Sequence, residues 1–578
     1  MYSLLISVAF FAPAWGLSQI SNSVTISAGT LQGGFCPGSA ASFFLNVPFA
    51  KPPVGDLRFS SPQSYSGKYL SGTYDASTPG AACIQFGSTF VETGATSEDC
   101  LYLDIWVPPN ATSTSNLPVK VWIYGGGEDA GGISDPLYNG CNLAEEGSLL
   151  VSINYRLGPL GFLALENSEI AGNFGIEDIL LGLQWIQSNI AAFGGSPKKV
   201  LLFGQSAGAT NVFIVSALPQ ATSLINAVVS ESGAGRDLAT SDVTYAVGAS
   251  YASTLNCSDV ACLRSKPASD LNATNPEIPG AIIYSSINSN IFQPYIDGKV
   301  IPFSPAVVGT KVPTIYGSNA NEGAIFVLGQ YLSTNISSDE YNSFLQDNFG
   351  AAAQTVAQYY SLSTFSASPF PAFSAMSTII TDVSYFCPAY RALNLAAQNG
   401  IPAWTYLFSH TPSCLWYQNL FPPQALPLVQ ATHTAEIPFV FGNVNNLPLP
   451  NGTCNFSPDE EAISKALMSA WTSMAATGNP SSSDLEWPSW NATQSLGINI
   501  VNSTTVGVVN YTACEFWDAI DKSLNFTSSG NASANATTTA TTPKSTSAHS
   551  GAGENYLQSI LSLRIALLVL LGSVVAFL

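Results

Sequence analysis

The stretch VLLFGQSAGATNVF, residues 200–213, decides the fold of this chain. A short apolar run typical of a buried strand comes first, and a helix-compatible run follows it. Between them, GQSAG at residues 204–208 has the Gly-x-Ser-x-Gly form of a nucleophile elbow, where the flanking glycines permit a sharp turn. The turn places Ser206 at a helix N-terminus, where free N–H groups favour developing negative charge. The stretch therefore predicts a serine nucleophile in a strand–turn–helix unit.

Similar apolar runs on both sides of the serine indicate a large, mostly parallel sheet. Near-continuous apolar strands separated by helix-length segments are typical of a parallel sheet whose two faces are covered. The segment at residues 179–190 has apolar residues at helical spacing and lies between two of these strands. We therefore expect an α/β fold with a single catalytic domain at residues 17–524. The predicted strands lie at residues 119–124, 149–155, 199–203, 225–230 and 312–316.

The composition excludes some functions and favours a secretory location. The 578 residues include 37 acidic and 17 basic ones, a net charge of −20, so the chain lacks the basic surface of a nucleic-acid binder. Only 9% of the residues are charged, and glycans on Asn-x-Ser/Thr sites would solubilise such a surface. The ten cysteines also fit an oxidising compartment. The predicted glycosylation sites are Asn110, Asn256, Asn272, Asn335, Asn451, Asn455, Asn491, Asn502, Asn510, Asn525, Asn531 and Asn535.

Both ends of the chain predict processing signals. Residues 1–16 are apolar and end on small residues, as in a signal peptide. Residues 525–550 form a Ser/Thr-rich stalk, and residues 551–578 combine small residues, a spacer and an apolar tail. This order predicts a removed glycosylphosphatidylinositol (GPI) signal, attachment at Ser550, and an enzyme anchored on the outer membrane leaflet. The alternative is a transmembrane helix, but the apolar tail is shorter than the ~20 residues that a span needs.

A serine nucleophile needs a base, and an oxyanion needs donors. His549 lies in the cleavage region, whereas His410 follows a predicted strand and His433 lies far downstream of the serine. Chemistry alone does not choose between His410 and His433. Upstream, YGGG at residues 124–127 ends a strand, and consecutive glycines let backbone N–H groups point at one spot.

Taken together, these motifs resemble the type-B carboxylesterase/lipase family, the relatives of the cholinesterases, which have the α/β-hydrolase fold. The resemblance covers nearly all of residues 29–524 and includes several long motifs in the family's order. It implies a carboxylic ester hydrolase that acts on a small-molecule or lipid ester and needs neither cofactor nor metal. The matching motifs are residues 46–59 (NVPFAKPPVGDLRF), 97–103 (SEDCLYL), 154–158 (NYRLG) and 172–178 (GNFGIED).

The resemblance also assigns the catalytic roles. Residues 317–323 (GSNANEG) are similar to the family's acid motif and nominate Glu322, and residues 433–442 (HTAEIPFVFG) nominate His433 over His410. The order serine, acid, histidine is the one expected for this fold. The oxyanion donors implied by the family are the backbone N–H groups of Gly126, Gly127 and Ala207. Arg58 with Glu98, and Arg156 with Asp178, match structural ion pairs of the family.

The cysteines resemble the family's disulfide pattern in part. The resemblance implies the pairs Cys83–Cys100, Cys257–Cys262 and Cys387–Cys514. We expect the other four to form Cys36–Cys141 and Cys414–Cys454. Zinc is the alternative, but no Cys-x-x-Cys or histidine cluster supports it.

Three departures from the family bear on specificity. Gln205 replaces a common glutamate, and Glu128 replaces a common aromatic, so we expect a carboxylate near the acyl site that disfavours anionic acyl chains. The loop from Cys83 to Cys100 is short and lacks the tryptophan with which cholinesterases bind choline. A general esterase is therefore expected over a cholinesterase or a lipase acting on acylglycerols or sterol esters. A non-catalytic adhesion protein is a further alternative. The presence of Ser206, Glu322 and His433 argues against it.

Overall fold

A large mixed sheet organises the part of the chain that the structure describes. The computed structural model describes residues 21–87, 94–272, 291–413, 425–443, 455–482 and 485–523. The strands are β1 Ser23–Ile26, β2 Gly29–Gln32, β3 Gly34–Phe35, β4 Ser42–Pro48, β5 Thr73–Asp75, β6 Ala82–Cys83, β7 Thr96–Ser97, β8 Tyr102–Val107, β9 Leu117–Ile123, β10 Leu149–Ile153, β11 Gly195–Gln205, β12 Ala227–Glu231, β13 Thr314–Asn319, β14 Ala403–Phe408, β15 Leu496–Ile500 and β16 Thr504–Val508.

Helices cover the two faces of this sheet. They are α1 Cys141–Glu145, α2 Gly158–Phe162, α3 Phe174–Asn189, α4 Ala207–Ala217, α5 Ala221–Leu224, α6 Ser241–Thr254, α7 Val260–Ser265, α8 Ala268–Asn272, α9 Pro305–Val308, α10 Ala324–Tyr331, α11 Ser338–Phe349, α12 Ala353–Tyr359, α13 Pro371–Thr381, α14 Cys387–Gln398, α15 Leu426–Val429, α16 Ile437–Phe441, α17 Pro458–Thr477 and α18 Thr512–Ser523. A π-helical turn at Asp382–Phe386 joins α13 to α14.

The main sheet has eleven described strands in the order β16-β15-β14-β13-β12-β11-β9-β10-β8-β4-β3. From β10 to β15 every neighbouring pair is parallel, whereas β16, β8, β4 and β3 pair antiparallel at the two edges. The five predicted strands correspond to β9 through β13, and the predicted helix at residues 179–190 belongs to the longer α3. The predicted α/β class with a mostly parallel sheet is confirmed. The antiparallel edges were not predicted from the sequence.

The sheet centre is buried because its strands are apolar on both faces. All residues of β10, β12 and β13 are buried, as are all residues of α4, the helix that follows the serine turn. On β9, the Trp122 ring packs against the rings of Tyr138, Phe203 and Phe441. A helix enclosed on all sides has little freedom to move, so α4 holds the start of the turn rigidly against the sheet.

Disulfides and ion pairs tie the surface loops to this core. The structure contains the predicted pairs Cys36–Cys141, Cys83–Cys100, Cys257–Cys262 and Cys387–Cys514. Cys414 and Cys454 lie outside the described residues, so their pairing stays a prediction. Arg156 binds Asp178 at 2.8 Å in the buried interior, and Arg58 binds Glu98. The two ion pairs that the family resemblance implied are therefore both formed.

The predicted signal peptide, stalk and attachment signal fall on residues that the structure does not describe. Every described residue belongs to one compact unit. None of the helices in the described ranges is both long and apolar enough to cross a membrane. The described asparagines of the predicted glycosylation sites are all exposed: Asn110, Asn256, Asn272, Asn335, Asn455, Asn491, Asn502 and Asn510. Asn451, Asn525, Asn531 and Asn535 lie outside the described ranges.

Several carboxyl groups are buried or half-buried in this core and form no salt bridge within the described ranges. Burial disfavours the charged form, so it raises the pKa of each of these groups. The raised values are about 7 for Asp104, about 8 for Glu128, about 7 for Asp129, about 6 for Asp382 and about 8 for Glu436. For two other groups, Glu460 and Lys120, the pKa is lowered. Hydrogen bonds outweigh burial and hold the pKa of Glu460 at about 2, and burial lowers that of Lys120 to about 7.

We predict that the folded protein is most stable in mild acid and loses stability as the pH rises from about 5 to about 8. Across that window the unfolded carboxyls are ionised while their folded counterparts retain protons, so each buried carboxyl lowers stability by up to about 1.4 kcal/mol per pH unit. The melting temperature, followed by tryptophan fluorescence at a fixed scan rate, should fall across the window. Asp104→Asn should make the fall shallower. A melting temperature that rises steadily from pH 5 to pH 8 would contradict the prediction.

Candidate active site

Ser206 lies on a strained turn between β11 and α4. Its backbone angles are φ 59° and ψ −124°, outside the regions that a non-glycine residue adopts at low cost. The Ser206 N–H donates to the Glu231 carbonyl at 3.0 Å, and the Ser206 carbonyl accepts from the Thr210 N–H in the first turn of α4. Ser206 is partly exposed although its neighbours on both sides are buried. The turn therefore presents the serine hydroxyl at the carboxyl edge of the parallel strands.

Two glycines make room for this turn. A β-carbon at Gly125, at the end of β9, would lie only 2.8 Å from Ser206 Cβ and 2.6 Å from the Gln205 carbonyl oxygen. A β-carbon at Gly208 would collide with the carbonyl oxygens of Ile123 and Tyr124. The sequence therefore needs glycine at these positions because two backbones approach within contact distance.

Glu322 and His433 form a buried pair near the serine turn. Glu322 follows β13, and its Oε2 lies 2.6 Å from His433 Nδ1, while its Oε1 accepts from the Asn319 N–H at 2.7 Å. Glu322 is fully buried, and His433 is 5% exposed. A carboxylate that accepts from Nδ1 fixes the tautomer in which Nε2 is the free proton acceptor.

The His433 ring is held by aromatic side chains and by an amide. Its centroid lies 5.1 Å from that of Phe326 and 4.7 Å from that of Tyr385. The Gln205 side-chain Nε2 lies 3.2 Å from His433 Nε2, so an amide faces the ring nitrogen that Glu322 does not contact. The sequence did not identify Phe326 or Tyr385. Phe326 lies one helical turn after Glu322, but nothing in the sequence indicates Tyr385.

The glycine loop after β9 supplies unused donors. Gly126 has φ 123° and Gly127 has φ 71°, which are conformations that favour glycine. Within the described ranges the N–H groups of Gly126, Gly127 and Ala207 donate no hydrogen bond. Free donors of this kind, two on a glycine loop and one at a helix start, can bind an anion.

His410 lies in a different environment. Its Nε2 is 3.1 Å from Glu460 Oε1, and its Nδ1 contacts the Val501 carbonyl. Glu460 also caps the start of α17 through Ser457. His410 therefore connects the end of β14 to the start of α17, and both of its ring nitrogens have partners. Of the two candidate histidines, only His433 lies beside the serine turn.

Glu128 differs from the expectation drawn from the sequence. Its side chain is buried, with Oε2 accepting from Asn211 Nδ2 of α4 at 3.3 Å. Burial raises the pKa of Glu128 to about 8, so the group is mostly a neutral carboxylic acid at pH 7. Glu128 therefore carries less charge near neutral pH than the carboxylate that we expected, and its effect on anionic acyl chains stays a prediction. Glu128 links the glycine loop to α4, the helix that follows Ser206.

The sheet order and the strained serine at its strand-to-helix turn define an α/β-hydrolase. Comparison with known families agrees with this class. The model of the carboxylesterase family matches residues 20–517. The chain belongs to the carboxylesterase family and is a carboxylic ester hydrolase.

Individual relatives include a para-nitrobenzyl esterase, a cholinesterase and an acetylcholinesterase. The chain is 32% identical over 460 residues to para-nitrobenzyl esterase of Bacillus subtilis, covering 77% of this chain and 88% of that one. It is 31% identical to cholinesterase of Mus musculus, covering 86% of both chains. It is 32% identical to acetylcholinesterase of Bungarus fasciatus, covering 84% of both chains.

We predict that Gln205→Glu moves the acid limb of the pH profile of kcat/KM to higher pH. A carboxylate near the imidazole favours its charged form, which cannot accept a proton, and an opposite charge at this distance shifts a titration by about one unit or more. Gln205→Met, which fills a similar volume without charge, serves as the control and should leave the acid limb near its wild-type position. An unmoved acid limb in Gln205→Glu would show that position 205 does not influence the base.

Proposed function

We propose that the chain is a serine carboxylesterase that works through an acyl-enzyme on Ser206. The observation that carries this proposal is the 2.6 Å contact of Glu322 with His433 beside the strained turn that exposes Ser206. Unused N–H donors on the glycine loop add the means to stabilise an oxyanion. Ser206, Glu322 and His433 are the proposed nucleophile, orienting acid and general base.

Acylation follows from these roles. Ser206 Oγ attacks the ester carbonyl carbon as His433 Nε2 accepts the hydroxyl proton. The transfer requires Ser206 Oγ to take the place that the Gln205 amide holds beside His433 Nε2. The carbonyl oxygen becomes negative and is held by the N–H groups of Gly126, Gly127 and Ala207. Glu322 stabilises the imidazolium as it forms. The imidazolium then protonates the leaving alkoxide, and the alcohol departs.

Deacylation reverses the proton transfers with water as the nucleophile. His433 accepts a proton from water, the hydroxide oxygen attacks the acyl carbon, and the same N–H groups stabilise the second oxyanion. The imidazolium returns its proton to Ser206 Oγ as the acid product leaves. Every proton in this cycle passes through His433, so no cofactor is required.

The first test of this mechanism targets the nucleophile and the base. We predict that Ser206→Ala and His433→Ala each lower kcat at least about a thousandfold while the fold is retained, because the residues act as a unit. A fluorophosphonate probe should label Ser206 in the wild type. His410→Gln, which changes a histidine that contacts Glu460, is the matched control and should retain most of kcat. A Ser206→Ala variant that stays active would show that another group is the nucleophile, whereas a wild type that is neither labelled nor active would favour a non-catalytic binding protein.

We also propose that the enzyme travels the secretory pathway and is held on the outer cell surface by a GPI anchor. The four disulfides and the exposed asparagines of the described glycosylation sites support the secretory route. The anchor itself rests on the order of small residues, spacer and apolar tail at residues 551–578.

We predict that phosphatidylinositol-specific phospholipase C releases active enzyme from intact cells. Cleavage after Ser550 would remove the apolar tail, so the lipid would be the attachment to the membrane. Mass spectrometry of the mature protein should find no peptide from residues 566–578. As a control, Ser550→Pro together with loss of the neighbouring small residues should reduce surface display. Recovery of the tail in mature surface protein would support a transmembrane anchor in place of a lipid.

A further inference from the structure

The loop after β12 carries an arginine close to the His433 base. Arg236 lies five residues after the end of β12, and its guanidinium carbon is 4.4 Å from the centroid of the Tyr385 ring. The same ring is 4.7 Å from the His433 ring. Arg236 Nε donates to the Ser384 carbonyl at 2.9 Å, which fixes the plane of the guanidinium. One aromatic ring therefore separates a fixed positive charge from the base.

This charge has no anionic partner in the described part of the chain. No salt bridge there includes Arg236, and its Nη2 is buried without a hydrogen-bond partner. Glu128 is near enough to interact with it electrostatically, but burial keeps Glu128 largely protonated at neutral pH. Glu322 is engaged by His433. Within the described ranges, no carboxylate of the protein is hydrogen-bonded to this guanidinium.

An unbalanced cation beside the base works against the proposed reaction. His433 becomes positively charged in each half of the cycle, and a nearby positive charge disfavours that state. An anion held at Arg236 would remove this penalty as well as satisfy the guanidinium. Arg236 is half-buried with its Nη2 enclosed, so a substrate carboxylate would approach the exposed part of the side chain and accept a charge-assisted hydrogen bond from the guanidinium.

We propose that Arg236 binds a carboxylate carried by the substrate, so that the preferred substrates are esters with a free acid group. The inference rests on the proposed ester hydrolysis and adds a substrate class to it. The carboxylate can belong to the acyl part, as in the monoester of a dicarboxylic acid, or to the alcohol part, as in an acylated hydroxy acid. Tyr385 positions the arginine in either case.

The net charge of −20 does not prevent this recognition. Charges that are farther from the site than about 8 Å are largely screened at physiological salt, whereas a contact inside the site is not. The overall charge therefore slows the approach of an anionic ester without weakening its contact with Arg236. Low salt should reduce kcat/KM for anionic esters relative to neutral ones.

The experiment compares two matched pairs of esters on the purified full-length enzyme. Monoethyl adipate is compared with ethyl hexanoate for the acyl side, and acetoxyacetate with ethyl acetate for the alcohol side, with products measured by chromatography. In the wild type we expect kcat/KM for the charged ester to exceed that for its neutral match at least about tenfold in one pair, as a charge-assisted hydrogen bond would give. The pair that shows the preference identifies the side that carries the carboxylate.

Variants then separate recognition from structural support. Arg236→Met should lower the charged-to-neutral ratio of kcat/KM at least about tenfold, and Arg236→Lys should retain an intermediate ratio. The matched control is Arg391→Met, which removes an arginine that pairs with Asp518 and Asp521, and it should keep the wild-type ratio. If Arg236→Met lowers kcat/KM equally for both members of a pair, the residue only supports Tyr385 and the proposal is overturned.

The wild-type results alone separate the two proposals. Hydrolysis of the neutral esters without any preference for the charged ones would overturn the role of Arg236 and leave the serine esterase intact. If none of the four esters is hydrolysed and Ser206 is not labelled by the fluorophosphonate, both proposals fail together.

Discussion

The close approach of two backbones at the Ser206 turn is the constraint on which the rest of the structure depends. The end of β9 and the start of α4 come so near to each other that only glycine fits at Gly125 and Gly208. The strained backbone of Ser206 is maintained because β11 is hydrogen-bonded on both sides and α4 is enclosed by other elements. Strain of this kind persists only where the surrounding structure over-determines it. The large parallel sheet provides that support.

Within the described ranges, the interior contains more acidic groups than salt bridges, in a chain of which only 9% of the residues are charged. The interior contains several carboxyl groups whose pKa burial raises to about 7 or about 8. Such groups can still accept hydrogen bonds, as Glu128 in the glycine loop does from Asn211 of α4. The proposed reaction instead depends on Glu322, whose two oxygens are both hydrogen-bonded. Glu128 and Glu322 are both buried glutamates, but they differ in function because they have different hydrogen-bond partners.

The surroundings of His433 combine the features on which catalysis and specificity would depend. One carboxylate orients the ring, one amide faces its free nitrogen, and two aromatic rings hold it in place. One of those rings also carries a guanidinium. The charge around His433 is therefore set by groups from separate parts of the chain. Substrate choice and base strength would be coupled in such a site, because a bound anion changes both.

The sequence by itself determined the parts that depend on local pattern. The strand, turn and glycines around Ser206 predicted the elbow, and the apolar runs predicted the central strands, because periodicity and glycine content act over a few residues. The family resemblance nominated Glu322 and His433. Only the tertiary structure brought these side chains within hydrogen-bonding distance, engaged His410 elsewhere, and buried Glu128 as a neutral acid. It alone placed Arg236 against Tyr385, since burial and contact between residues distant in the chain are decided by packing.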